Sequence, residues 1–289
     1  MSDRAYKPLE TVIRIPGLPR KLSIMHITDS HLTEVDDRDE DRVRELAVGR
    51  TECFRRGENG SPSTLQILER QAEQSNELQV DFTVFTGDII DYPTQANFDQ
   101  MDRIYSSLNS PYLYTVGNHD WNFPFTGERD EVRTEAYPKF SKWAKHVPGC
   151  EIGELDGVTI IAVDNSTYQL KAEQVERIRE IADRGPCLLF MHIPVAIPSL
   201  IPDVVSVWRA PIVMGADQQD LERHNTANLL ATESTAAFCQ WVNESDSVYG
   251  LFCGHVHFAH EDAFSTGTHQ YITPPGFEGG CRLITLLPA

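Results

Sequence analysis

The chain has 289 residues, with 43 acidic against 25 basic side chains and a formal charge of −18. So acidic a balance argues against nucleic acid as the natural partner, because binders of that backbone gather lysine and arginine. It leaves a small phosphorylated substrate open, since bound divalent cations set the local potential whatever the global sign. With 40% hydrophobic residues, no apolar run near the ~18 of a spanning helix and no apolar leader, the expectation is one cytoplasmic domain over 1–289 without a membrane partner.

In chain order, residues 12–15 and 22–28 read as two strands joined by a Pro-Gly turn at 16–19. Residues 33–60 are polar, with Gly57, Asn59 and Gly60, and are expected to be an excursion above the sheet edge. Its acidic stretch, 34–41, reads as a solvated loop, with a third metal site as the sharper alternative. Ser61-Pro62-Ser63 opens a helix with serine as cap, whose apolar face is Leu65, Leu68, Ala72 and Leu78.

Residues 82–86 are a compact β-prone run. Phe98, Met101, Tyr105 and Leu108 then repeat at helical spacing, and 112–116 is the next strand. This alternation implies parallel strands. The second half repeats it, with strands at 158–163, 187–191 and 248–253. Its helices are marked by Val175, Ile178 and Ala182, stopped by Gly185-Pro186, and by Phe238, Trp241 and Val242. The tail, with Tyr271-Ile272 and 283–287 around Pro274-Pro275-Gly276, reads as closing β structure.

Residues 194–232 look irregular, an apolar stretch broken by Pro194, Pro198, Pro202 and Pro211 and carrying Trp208. Such an excursion beside a site serves as a lid or a subunit contact, and 194–213 suggests a homodimer. The fold class expected is α/β: a four-layer αββα sandwich, two mixed β-sheets flanked by helices, in a single domain.

Five of the apolar runs end in side chains able to bind metal: Asp29-Ser30-His31, Gly87-Asp88, Gly117-Asn118-His119-Asp120, Met191-His192 and Gly254-His255-Val256-His257. If each run is a buried strand, all five emerge at one edge of one sheet. Aspartate, asparagine and histidine converging there suggest two adjacent metal ions built for a phosphate ester. Neutral imidazoles mixed with carboxylates favour Mn, Fe, Zn, Co or Ni over Mg or Ca. Taken singly each segment is weak; their joint occurrence in this order is specific.

The set DxH, GD, GNHD, H and GHxH, spanning 29–257, resembles the calcineurin-like metallophosphoesterases. That resemblance implies a first metal on Asp29, His31, Asp88 and His257 and a second on Asp88, Asn118, His192 and His255. The pair is expected to be Mn, Fe or Zn. Asp88 is the natural bridge, because one carboxylate spans two ions ~3.5–4 Å apart, and Gly87 lets the backbone approach closely. On an extended segment His255 and His257 would face one cluster while Val256 turns into the core. The implied reaction is attack on phosphorus by a metal-bridging hydroxide. His119, not a ligand, serves as general acid or phosphate clamp, with Asp120 holding its ring.

Departures from relatives narrow the substrate. The stretch Gly87-Asp88-Ile89-Ile90-Asp91-Tyr92-Pro93 lacks the arginine of the phosphoprotein phosphatases it resembles. Asp91 stands where a purple acid phosphatase carries its tyrosine ligand. A small-molecule phosphodiesterase or phosphomonoesterase is the reading that follows, with a phosphoprotein phosphatase or a non-catalytic scaffold on the same fold as alternatives.

The remaining polar residues carry lesser expectations. His26 is read as core or as backing the ligands, Asp164-Asn165 as backing them too, and His146, His260 and His269 as surface or structural. Arg209, Arg223 and His224 are read as substrate contacts or solvated side chains. The six cysteines lack a CxxC pair and are expected reduced, with Cys253 a packing residue or, two before His255, a ligand.

Overall fold

The computed structural model describes residues 7–55, 61–146 and 149–289. Its first half contains β1 (Leu9–Ile15), β2 (Leu22–Ile27), α1 (Asp41–Arg55), α2 (Thr64–Glu77), β3 (Phe82–Thr86), α3 (Gln95–Ser106), β4 (Tyr112–Thr115) and α4 (Asp130–Ala136). The second contains β5 (Cys150–Leu155), β6 (Val158–Val163), α5 (Ala172–Ala182), β7 (Cys187–Met191), α6 (Leu200–Trp208), α7 (Gln218–Arg223), α8 (Glu233–Glu244) and β8 (Val248–Cys253). The chain closes with β9 (His260–Ala263), β10 (His269–Ile272) and β11 (Arg282–Pro288).

Strand alternation builds the layers. In β2, Leu22 and Ile24 face one side, Met25 and Ile27 the other; in β7, Leu188 and Phe190 oppose Cys187, Leu189 and Met191. The first of each set meet in one apolar cluster between two sheets, completed by Phe82, Val84, Ile160, Phe252 and Ile284. The others pack outward, against α2 and α3 on one flank and α5 and α8 on the opposite flank. Both faces of the central strands are therefore buried, and the αββα sandwich of two mixed sheets follows.

The sheets have orders β1-β11-β2-β3-β4 and β5-β6-β7-β8-β10-β9. β2, β3 and β4 are parallel neighbours, as are β6, β7 and β8, so each triplet sends its carboxyl ends to one edge. The delivering strands divide three to two between the sheets, which corrects the expectation of one edge of one sheet. β1 and β2 are not a hairpin either, because β11 lies between them, parallel to β1 and antiparallel to β2.

Both excursions contain helices. α1 occupies much of 33–60, of which 56–60, with Gly57, Asn59 and Gly60, lie outside the described residues. α6 and α7 occupy 194–232. Pro202 sits in the first turn of α6, where a backbone N–H has no helical acceptor to lose. Ile197, Leu200, Val204, Val213 and Met214 are buried in the chain's own core, leaving Val207 and Trp208 exposed. No helix among the described residues is long and apolar enough to cross a membrane.

Candidate metal centre

Five turns leave the strand ends and fold back on one another. Asp29 N–H donates to the Gly87 carbonyl, His31 N–H to Asp88 and Gly254 N–H to His192, so the loops extend the sheet pairing. Other bonds cross between the sheets here: His192 Nδ1 donates to the Thr86 carbonyl at 2.8 Å, and His255 N–H donates to Asp29 at 3.0 Å. Asp29, His31, Asp88, His255 and His257 all have φ between 45° and 70°. Each such non-glycine conformation costs ~1–3 kcal/mol, and clustering of this kind marks functional sites.

Gly87 has φ +79°, and a Cβ there would lie 2.3 Å from the Gly117 nitrogen. That contact is what seats the β3 turn against the β4 turn. Gly87→Ala is expected to combine strain with overpacking, losing ~3 kcal/mol and lowering Tm by ~6–12 °C. A thermal melt matching the parent protein would refute that account.

Three overlapping clusters result: Asp29, His31 and His257; His31, Asp88 and His119; Asp88, His192 and His255. Asp88 Oδ2 lies 3.1 Å from His192 Nε2 and 3.8 Å from His31 Nε2, so one carboxylate oxygen sits between the two histidine sets. His31 Nε2 is 3.2 Å from His257 Nε2, His255 Nδ1 is 3.2 Å from His192 Nε2, and His257 Nε2 is 3.4 Å from Asp29 Oδ1. Donors ~2.1 Å from a shared cation at tetrahedral or octahedral angles stand ~3.0–3.4 Å apart, a range that holds each of these spacings except the 3.8 Å between Asp88 Oδ2 and His31 Nε2.

The tautomers agree. His192 Nδ1 donates to Thr86 O and His31 Nδ1 to Asp91 Oδ1, so in the neutral, metal-binding form each ring would turn a bare Nε2 toward the site. Asn118 Nδ2 donates to Glu128 Oε1 at 3.0 Å, while its buried Oδ1 has no partner among the described residues. A buried carbonyl oxygen without a donor is costly, and a cation would satisfy it. The seven residues therefore fit a metal pair. Burial raises a carboxyl pKa, yet the neighbouring histidines hold Asp29 down at about 2 and Asp88 well below its ordinary value.

The geometry revises several expectations. Residues 255–258 are bends rather than extended chain. His255 and His257 consequently reach different clusters, although Val256 is buried in the core as anticipated. Asp120 does not hold the His119 ring. Its carboxylate accepts the backbone N–H groups of Asp88, Ile90 and Gly117, locking the two turns together. The ring is held instead by Asp91, whose Oδ1 is 3.1 Å from His119 Nδ1. Burial pulls the His119 pKa down, but Asp88 and Asp91 outweigh it and raise it to about 9.

Asp91 was missed as a site residue. It is fully buried and also accepts His31 Nδ1 and a bidentate guanidinium from Arg50 of α1. Tyr168, whose hydroxyl lies 2.9 Å from His255 Nε2, and Glu128 were missed as well. Asn165 Oδ1 accepts the backbone N–H of His192, the backing role anticipated for it. His26 is buried between the sheets against Phe190 and Phe252, bonded to Thr86 and Thr273. Arg223 pairs with Asp220 and His224 with the Arg209 carbonyl, bonds that lead away from the clusters. The acidic stretch 34–41 contributes to none of the three clusters, and Cys253 is a buried packing residue.

The sequence model of the calcineurin-like phosphoesterase family matches residues 22–259. No curated protein matches the chain by sequence. Among solved structures, a dimetal phosphatase from Danio rerio is 13% identical with a TM-score of 0.48, over 89% of this chain and 88% of that one. A 5'-nucleotidase from Candida albicans is also 13% identical with a TM-score of 0.43, and its match covers 92% of this chain but 47% of the nucleotidase.

Proposed function

We propose that this chain, which belongs to the calcineurin-like phosphoesterase family and is a metal-dependent phosphoester hydrolase, acts on a small phosphate ester with His119 assisting the leaving group. The observation that carries the reading is the placement of Asp88 Oδ2 between His31 Nε2 and His192 Nε2, beside the unpartnered Asn118 Oδ1. Asp29, His31, Asp88 and His257 would hold one ion, and Asp88, Asn118, His192 and His255 the other, with Mn, Fe or Zn suited to that donor set. Bound there, the pair would supply positive charge at the phosphoryl oxygens and activate water at neutral pH.

The chain's own groups do the rest. Thr86, Asp91 and Tyr168 fix which nitrogen of His192, His31 and His255 faces the site, and Glu128 turns Asn118 so that its oxygen does. The His119 side chain is 31% exposed where Asp88 and His192 are almost wholly buried, which puts it at the mouth. Asp91 holds its Nδ1, leaving Nε2 to deliver a proton to the departing oxygen.

Elemental analysis combined with Mn loading tests the proposal. About two transition-metal ions per chain are expected, with hydrolysis of bis-nitrophenyl or mono-nitrophenyl phosphate. The ratio of those two rates assigns the diester or the monoester. Poor metal retention with neither ester cleaved would leave a protein-binding scaffold as the function.

A further inference from the structure

Helix α1 is the least expected contributor to the site. Its sequence, DRVRELAVGRTECFR, is strongly polar, and only Val43, Ala47 and Phe54 of its apolar side chains are buried. Yet one face of it reaches the catalytic groups. Phe54 stacks on the His31 ring with centroids 4.5 Å apart, and the Arg50 guanidinium lies 4.9 Å over Phe54. Arg50 then closes on Asp91 through Nε–Oδ2 and Nη2–Oδ1, both at 2.6 Å.

Asp91 carries three demands. Its Oδ1 accepts His31 Nδ1 at 3.0 Å and His119 Nδ1 at 3.1 Å, and both oxygens accept Arg50. A carboxylate can rotate about its Cβ–Cγ bond, and two single-point imidazole contacts to one oxygen do not fix that angle. A planar fork binding both oxygens does. Arg50 also compensates a charge that is otherwise fully buried between two rings.

We propose that Arg50 is a positioning residue for the reaction, setting the plane of Asp91 so that His31 is aimed at the metal and His119 at the leaving oxygen. The inference rests on the role assigned to His119 above. The competing view is that the ion pair merely tethers α1 to the domain.

Arg50→Ala separates the two, because a free guanidinium ion can refill the site beside Asp91 but cannot tether a helix. The variant is expected to lose kcat by about 10–100-fold with KM within about threefold, and to bind metal about tenfold more weakly in chelator competition. Guanidinium added well below denaturing concentrations should restore most of both. Arg50→Lys, a point charge without the fork, should recover only part of kcat. A folded Arg50→Ala protein with parental kcat and metal affinity would overturn the proposal, and so would a loss that guanidinium leaves untouched. If His119→Asn turns over normally while Arg50→Ala still loses metal, the role of His119 fails and the aiming of His31 stands.

Discussion

Replacement of His119 by asparagine is expected to lower turnover by about two orders of magnitude or more while both metals stay bound, the usual scale of acid–base assistance. The substitution is close to isosteric where it matters. Its backbone N–H still donates to Asp88 Oδ1, as His119 does at 2.8 Å, so the Asp88 carboxylate keeps its setting. Its amide can still donate to Asp91, but it has no proton to give a departing oxygen. Leaving-group dependence distinguishes an acid from a phosphate clamp. A nitrophenolate departs readily without protonation, whereas an alkoxide does not. The loss should therefore be far steeper for an alkyl phosphate ester than for a nitrophenyl ester of the same charge. Equal losses for both esters point to a clamp, and unchanged turnover of the alkyl ester removes the role altogether. The comparison needs only kcat on two substrates and an elemental analysis of the variant.

What could be read ahead of the structure depended on how local its cause was. Of the strands that lead to the candidate site, β2, β3, β7 and β8 were legible because both of their faces are buried, so each appears as a largely apolar run ending in a polar turn. β5 and β9 were not, and they are the two edge strands of the second sheet. An edge strand has one neighbour and less to bury, so CEIGEL interleaves its apolar residues with glutamates and HEDA has almost none, and neither forms an apolar run. α1 was hidden for a related reason: beyond the small cluster that Val43 and Ala47 form with Tyr92, its anchors are Arg50 and Phe54 on the site.

The site shows the same division. Asp29, His31, Asp88, Asn118, His192, His255 and His257 could be picked out as candidate ligands because each lies close after a strand end. Asp91 escaped because its partners are His31 and His119, brought to it only by the folding of separate strands. Asp120 was misread for the opposite reason. Adjacency to His119 suggested a side-chain partner, whereas its carboxylate turns to the backbone of two loops that would otherwise leave three N–H groups buried and unpaired. The left-handed conformations of Asp29, His31, Asp88, His255 and His257 have no sequence signature at all, since glycine is the residue expected at such φ values.

Asp88→Asn should have the largest effect of any single change, with turnover down by about 10³-fold or more as ~4 kcal/mol of transition-state charge stabilisation goes with the metal pair. The substitution leaves the backbone alone, because asparagine tolerates the φ of 48° that Asp88 adopts. What it removes is the charge and one of two oxygens. A neutral amide has a single carbonyl oxygen, and its NH₂ group would be aimed at a cation. Metal content is therefore expected to fall from about two ions per chain to one or fewer.

Stability should fall for the stripped protein as well. Asp88 repels Asp29 and Asp120, but the surrounding histidines outweigh that and hold its own pKa well below the ordinary carboxylate range, so its charge is favoured in the fold and losing it costs stability at neutral pH. The metal-free variant should melt below the metal-free parent. On metal addition the parent should gain ~2.7 kcal/mol per site at a hundredfold excess over Kd, and the variant little. Melts of both proteins with and without Mn read this directly. A variant that keeps two ions, rises in Tm like its parent and turns over normally would show that Asp88 does not join the two histidine sets, and the dinuclear reading of this site would go with it.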